Sequence, residues 1–146
     1  MKTAHIVLGW ICGGLFVGAG FWGAWCWRTV RHSPLFWRLL RAGQAAVVLE
    51  AAIGGLLVAT GHKSSTLHLV YGILPILISF VAEQLRIASA QTVLDQRGIA
   101  SAAAVGELPE VEQRSIVVGI MQRELGVMVL AALVIIVLLI RAAGTV

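Results

Sequence analysis

Residues 124–141 read ELGVMVLAALVIIVLLIR, with no charge between Glu124 and Arg141. A bilayer core of about 30 Å is crossed by about 20 mostly apolar helical residues, since each residue advances about 1.5 Å. The run therefore predicts a transmembrane helix. Three more such stretches precede it, at 5–27, 42–60 and 68–87, so the chain is expected to be an all-α integral membrane four-helix arrangement. Composition agrees: 59% of the 146 residues are hydrophobic and 12% are charged, and the mean hydropathy is +0.92. That leaves too little polar surface to cover a water-soluble globule. The first stretch carries tryptophans and has no polar leader beyond Lys2, so it reads as a retained span rather than a cleaved signal.

The net charge of +4 does not point to nucleic acid, because the basic residues lie between apolar runs and are not interleaved with aromatics on a soluble face. Arg28, Arg31, Arg38 and Arg41 follow the first span; Arg86, Arg97, Arg114 and Arg123 fall between the third and fourth. The positive-inside rule puts both regions in the cytoplasm and both termini outside a bacterial inner (plasma) membrane. Trp22, Trp25, Trp27 and Trp37 cluster around the first cytoplasmic connection as an aromatic belt would, with Trp10 and Tyr71 toward the other interface.

The second connection is expected to be a tight hairpin, with Gly61 ending one helix and Ser64, Ser65 and Thr66 offering oxygens to cap the next. The third is long. Its pattern stays helical past Arg86 to Gly98, and Pro109 with Glu110 and Glu112 looks like the first turn of a new helix. If unbroken to Arg141, that helix is about 50 Å long. A cytoplasmic helical hairpin over about 88–123 is therefore expected, extending the third and fourth helices within a single membrane domain, 1–146. Gly9 and Gly13, and Gly14 and Gly18, follow small-xxx-small spacing, with Gly20 and Gly23 further along, which predicts close helix contact. Cys12 and Cys26 both lie in the first span and read as small packing residues.

Histidine carries the candidate chemistry. His5 opens the first span, His68 opens the third and His62 lies in the outer hairpin, while His32 sits on the cytoplasmic side. Each span-opening histidine is followed four residues later by glycine, His5 by Gly9 and His68 by Gly72. Residues four apart share a helix face, so each imidazole projects above a patch without a side chain. A flat macrocycle ligated through its iron by two histidines needs such space. Trp10, Leu8, Leu69 and Ile73 are candidate apolar walls, and Lys63 with Ser64, Ser65 and Thr66 are placed for propionates, His62 capping one of them. A zinc or copper site from His5, His62 and His68 is the alternative, but no acid or cysteine is expected near that face.

The order of these features resembles one heme-binding half of the heme A synthase family. His5 opens a span ending in Trp25, Trp27 and Arg28; an arginine-bearing loop follows, then LEAAIGGLLVATGH (Leu49–His62) and LHLVYG (Leu67–Gly72). The resemblance covers residues 5–80 and implies heme b with His5 and His68 as axial ligands. Glu50 would stand near the family's glutamine and Gly54 and Gly55 would match its glycine. There are four spans rather than eight and no Glu-Glu-x-x-His-Arg signature, so a duplicated catalytic enzyme is not implied. The chain also looks like small bacterial four-span membrane proteins.

Two intramembrane acids complete the inventory. A carboxylate near the bilayer centre costs about 2.5–3.5 kcal/mol on insertion scales, so Glu50 should face the bundle, protonated or paired. Glu83 lies closer to the cytoplasmic end, where an i,i+3 pair with Arg86 is its simplest use. Pro75 should kink the third helix. The sequence thus favours a small b-type heme-binding membrane protein acting in electron transfer or as an accessory subunit. A cofactor-free subunit packing through its glycine faces against other subunits or a second copy is the rival reading, and a carrier using Glu50 and Glu83 a third.

Overall fold

In the computed structural model, which describes residues 1–145, five helices follow one another: α1 (Lys2–Thr29), α2 (Pro34–Ala59), α3 (Thr66–Gln96), the short α4 (Ala102–Val105) and α5 (Glu110–Ala143). Val146, the last residue of the expected single domain, lies outside the described residues. No strand occurs among the described residues. Four of the helices are long and apolar enough to cross a membrane, and the chain is an all-α membrane protein. Around the bundle the order is α1, α2, α3, α5, with α1 diagonal to α3; α3 and α5 pack along the greatest length, and the α2–α3 seam is the loosest.

The first connection is shorter than the expected arginine-bearing loop. Only residues 30–33 turn the chain, and Arg38 and Arg41 already belong to α2. Ser33 caps that helix by accepting from the Phe36 amide, and Pro34 follows in the first turn, where its missing donor costs nothing. Ser33 also accepts from Nε1 of Trp22 at 2.8 Å, tying the end of α1 to the start of α2. Gly61, at φ +92°, reverses the chain after α2, and Ser65 caps α3 by accepting from the His68 amide. Helix α3 runs without interruption through Pro75. Past the apolar span, Val93 and Leu94 of α3 pack with Ile116 of α5, Ile99, Val105 and Leu108 in a small second core, which holds the helical hairpin together.

The main core is built on Phe16, Phe36, Leu40, Leu125, Met128 and Ile135, all essentially inaccessible, with Cys12 and Cys26 buried among them as free thiols. Glycines create the room, including Gly20 and Gly23 of the expected set but not Gly13 and Gly14. Gly13 and Gly14 face open space, whereas Gly23 lies against Phe36 and Val129, Gly20 against Leu133 and Ile136, and Gly43 against Phe16. A methyl at position 23 would sit 2.7 Å from Phe36 Cδ2 and Val129 Cγ2, in a region with nowhere to yield. Gly23→Ala is therefore expected to destabilise the bundle by about 1–3 kcal/mol, the cost of overpacking. Gly14→Ala should be neutral, as a thermal melt of the two variants in detergent will show.

At the arginine-rich end Glu83 receives Arg41, Arg86 (Nε–Oε2 3.1 Å) and the amide of Gln44 (3.2 Å), and Arg86 lies 3.7 Å from Glu124. Both guanidiniums lie over the Trp37 ring. The i,i+3 pair expected from the sequence is thus one arm of a network joining α2, α3 and α5.

Candidate functional site

The opposite end gathers the start of α1, the end of α2, the start of α3 and the end of α5. His5 and His68 come from the diagonal helices, yet their ring centroids are 6.0 Å apart, with planes at 69°. Both residues are half-buried. The two histidines chosen from spacing therefore do meet.

Each ring is held by its Nδ1 side. His68 Nδ1 is 3.0 Å from the carbonyl oxygen of Ala142, which also accepts from the amide and hydroxyl of Thr145. A carbonyl can only accept, so Nδ1 carries the hydrogen and Nε2 of the neutral ring keeps its lone pair. Ser65 donates to the Thr145 carbonyl at 2.7 Å, locking the start of α3 to the end of α5 beside the histidine. His5 Nδ1 lies 3.1 Å from Oε1 of Glu50, at ion-pair distance. The two are out of line for a hydrogen bond, so buried Nδ1 and the second carboxylate oxygen, Oε2, are left without one. Unsatisfied polar atoms inside a bundle are costly, and two side by side mark a place where a further group or a small ring rotation completes the bonding.

The glycines divide the work differently from the sequence reading. Gly9 does not clear space beneath His5: a Cβ there would stand 3.0 Å from Glu50 Oε1, so its lack of a side chain admits the carboxylate between α1 and α2. The His5 ring lies instead on Gly54, where a Cβ would be 3.1 Å from Cε1. Gly72, one turn beyond His68, faces open space, and so does the exposed Gly55. Trp10 is 78% exposed and Ile73 53%, so these two expected walls point outward; Leu8 packs inward against the main core. Lys63 and His62 are exposed in the α2–α3 turn, and His32 is at the other end of the bundle.

Glu50 faces helices rather than acyl chains, its side chain 16% exposed against α1. The acid next to His5 departs from the expectation that none would be near. Even so, among the described residues no three of His, Cys, Asp and Glu converge to hold a bare metal ion. Zinc generally takes four ligands, whereas two imidazoles are the whole protein share of a six-coordinate heme. Glu83 and Glu50 belong to separate clusters: Arg41, which pairs with Glu83, lies nine residues before Glu50, about 13 Å along α2.

Fold and site together define a four-span helical membrane bundle with paired imidazoles at one end. No protein-family model matches the chain, and no match to a curated protein or a solved structure is found.

Proposed function

We propose that the chain is a small b-type heme-binding protein of the bacterial inner membrane, with His5 and His68 as axial ligands and a role in electron transfer or as an accessory subunit of a redox complex. The observation that carries it is the approach of two imidazoles from diagonal helices. Two rings ligating one ion from opposite sides, each through a bond of about 2 Å, have centres about 6 Å apart, and the observed separation is 6.0 Å. The Nδ1 contacts to Ala142 O and Glu50 match the way ligating histidines are oriented by outer partners. A small turn of the His5 ring brings its Nδ1–H onto Glu50, and Gly72 leaves open space one turn beyond His68. Heme, when bound, would supply a one-electron couple; the chain's own residues hold the two rings, and Ala142 O fixes the His68 tautomer. A visible spectrum of the detergent-purified protein, oxidised and reduced, tests the reading. Sharp low-spin bands are expected, and absence of a Soret band after heme is supplied overturns it.

The arginine distribution supports both termini outside, which places the histidine end on the outer face. In a variant with Cys12 and Cys26 replaced, Ser64→Cys should react with an impermeant maleimide added outside intact cells. Selective labelling from the cytoplasmic side would reverse the orientation. The cofactor-free packing subunit is favoured by one observation, the outward-facing Gly13 and Gly14 of α1, which would let a second span approach closely.

A further inference from the structure

At the arginine-rich end, a cleft of about 780 Å³ lies beside α3 and α5, with Trp27 of α1 as one wall. Gly126 keeps it open: a Cβ there would stand 3.0 Å from the Trp27 indole, so only glycine lets the ring lie flat on α5. The cleft is two-natured along its length. One end is lined by Val127 and Leu130 and opens toward the membrane core, Leu130 being exposed; the other is lined by Arg97 and Arg123 with Gln96 and Gln122. Arg123 and Leu130 are seven residues apart, about 10 Å along the helix. The headgroup layer on one side of a bilayer is about 5–7 Å thick, so a groove of this length runs from that layer into hydrocarbon.

Among the described residues, neither arginine at the polar end makes an ion pair. Arg97 donates to the Ser115 hydroxyl and Arg123 to the Gln96 side-chain oxygen, both at 2.9 Å and both neutral partners. Arg41 and Arg86, by contrast, pair with Glu83 and Glu124, and Asp95 accepts from the Gln91 amide rather than from either arginine of the cleft. The geometry points to this cleft as a binding site for an anionic phospholipid, its phosphate between Arg97 and Arg123 and its first methylenes along Val127 and Leu130 beside Trp27. Charge complementarity selects the headgroup, and the apolar upper half selects an amphiphile over a soluble anion, which would use only the lower half. Basic pockets between spans at this level are a recurrent way of holding acidic lipid.

The test uses the full chain in detergent, titrated with brominated phosphatidylglycerol, and reads quenching of tryptophan fluorescence that is lost in Trp27→Phe. The Arg97→Gln/Arg123→Gln variant should bind about thirtyfold more weakly, between five- and sixfold for each arginine, and Arg97→Lys/Arg123→Lys should retain most of the affinity. Gly126→Leu should abolish quenching by filling the cleft, with circular dichroism confirming retained helix. Equal quenching by brominated phosphatidylcholine, an unchanged midpoint in the glutamine variant, or displacement by inorganic phosphate would overturn the proposal. None of these readings depends on whether heme binds at the other end.

Discussion

His68→Ala and His5→Ala are each expected to abolish low-spin heme absorbance, whereas His32→Ala leaves the spectrum as it was. A low-spin center needs both axial nitrogens, and removing either imidazole leaves no histidine at that end positioned to replace it. His62 is exposed in the turn between α2 and α3, and His32 is at the other end of the bundle. His68 is the more firmly held of the two, because Ala142 O and the Ser65–Thr145 bond fix both its ring and its helix end. His5 depends on a less regular contact with Glu50. Loss of His5 should therefore leave some high-spin heme on His68, while loss of His68 should leave less. Absorption and electron paramagnetic resonance spectra of the purified variants distinguish these outcomes. Normal low-spin bands in either alanine variant would remove that histidine from the iron, and unaltered bands in both would overturn the site.

Hydropathy made the spans legible because lipid imposes one requirement, about 20 apolar residues in a backbone that satisfies its own hydrogen bonds. The helix ends were less so. The Ser33-Pro34 start of α2 lies eight residues before the apolar stretch, and its signal is local capping chemistry in an arginine-rich segment. The pairing of His5 with His68 could be read, since both open spans that start on the same side. What held them could not. Ala142 acts through its backbone carbonyl, which no residue type advertises, and Thr145 joins it only because α5 ends beside α3. The His-xxx-Gly spacing picked two histidines whose rings do meet, with a wrong account of one glycine. It treats a helix face in isolation, whereas the patch above Gly9 is filled by Glu50 from the neighbouring helix. The same limit applies to Gly13 and Gly14, whose spacing suited contact but whose Cβ positions meet nothing among the described residues.

Gly54 is the position where these points become an experiment. Its Cβ would stand 3.1 Å from Cε1 of His5 and less than 4 Å from both ring nitrogens, so the imidazole rests by its Cε1 edge on α2 with no side chain between. A leucine there must displace the ring from its place beside His68 while α1 stays in place through Cys12 and Phe16, about two and three turns further along the helix. Gly54→Leu is therefore expected to retain the four-helix fold and to lose low-spin heme, leaving a high-spin species on His68. Gly55→Leu makes a control, because its Cβ meets nothing and the residue is exposed; its spectrum should match the parent. Gly72→Leu should behave differently from both. The space beside it is open, and filling that space should exclude the macrocycle altogether, so total heme falls with the helical content unchanged. Heme content per protein together with the spin state separates a displaced ligand from a blocked cleft. Full low-spin heme in Gly54→Leu would mean that His5 does not ligate from its seat on α2, and the pairing with His68 would have to be abandoned.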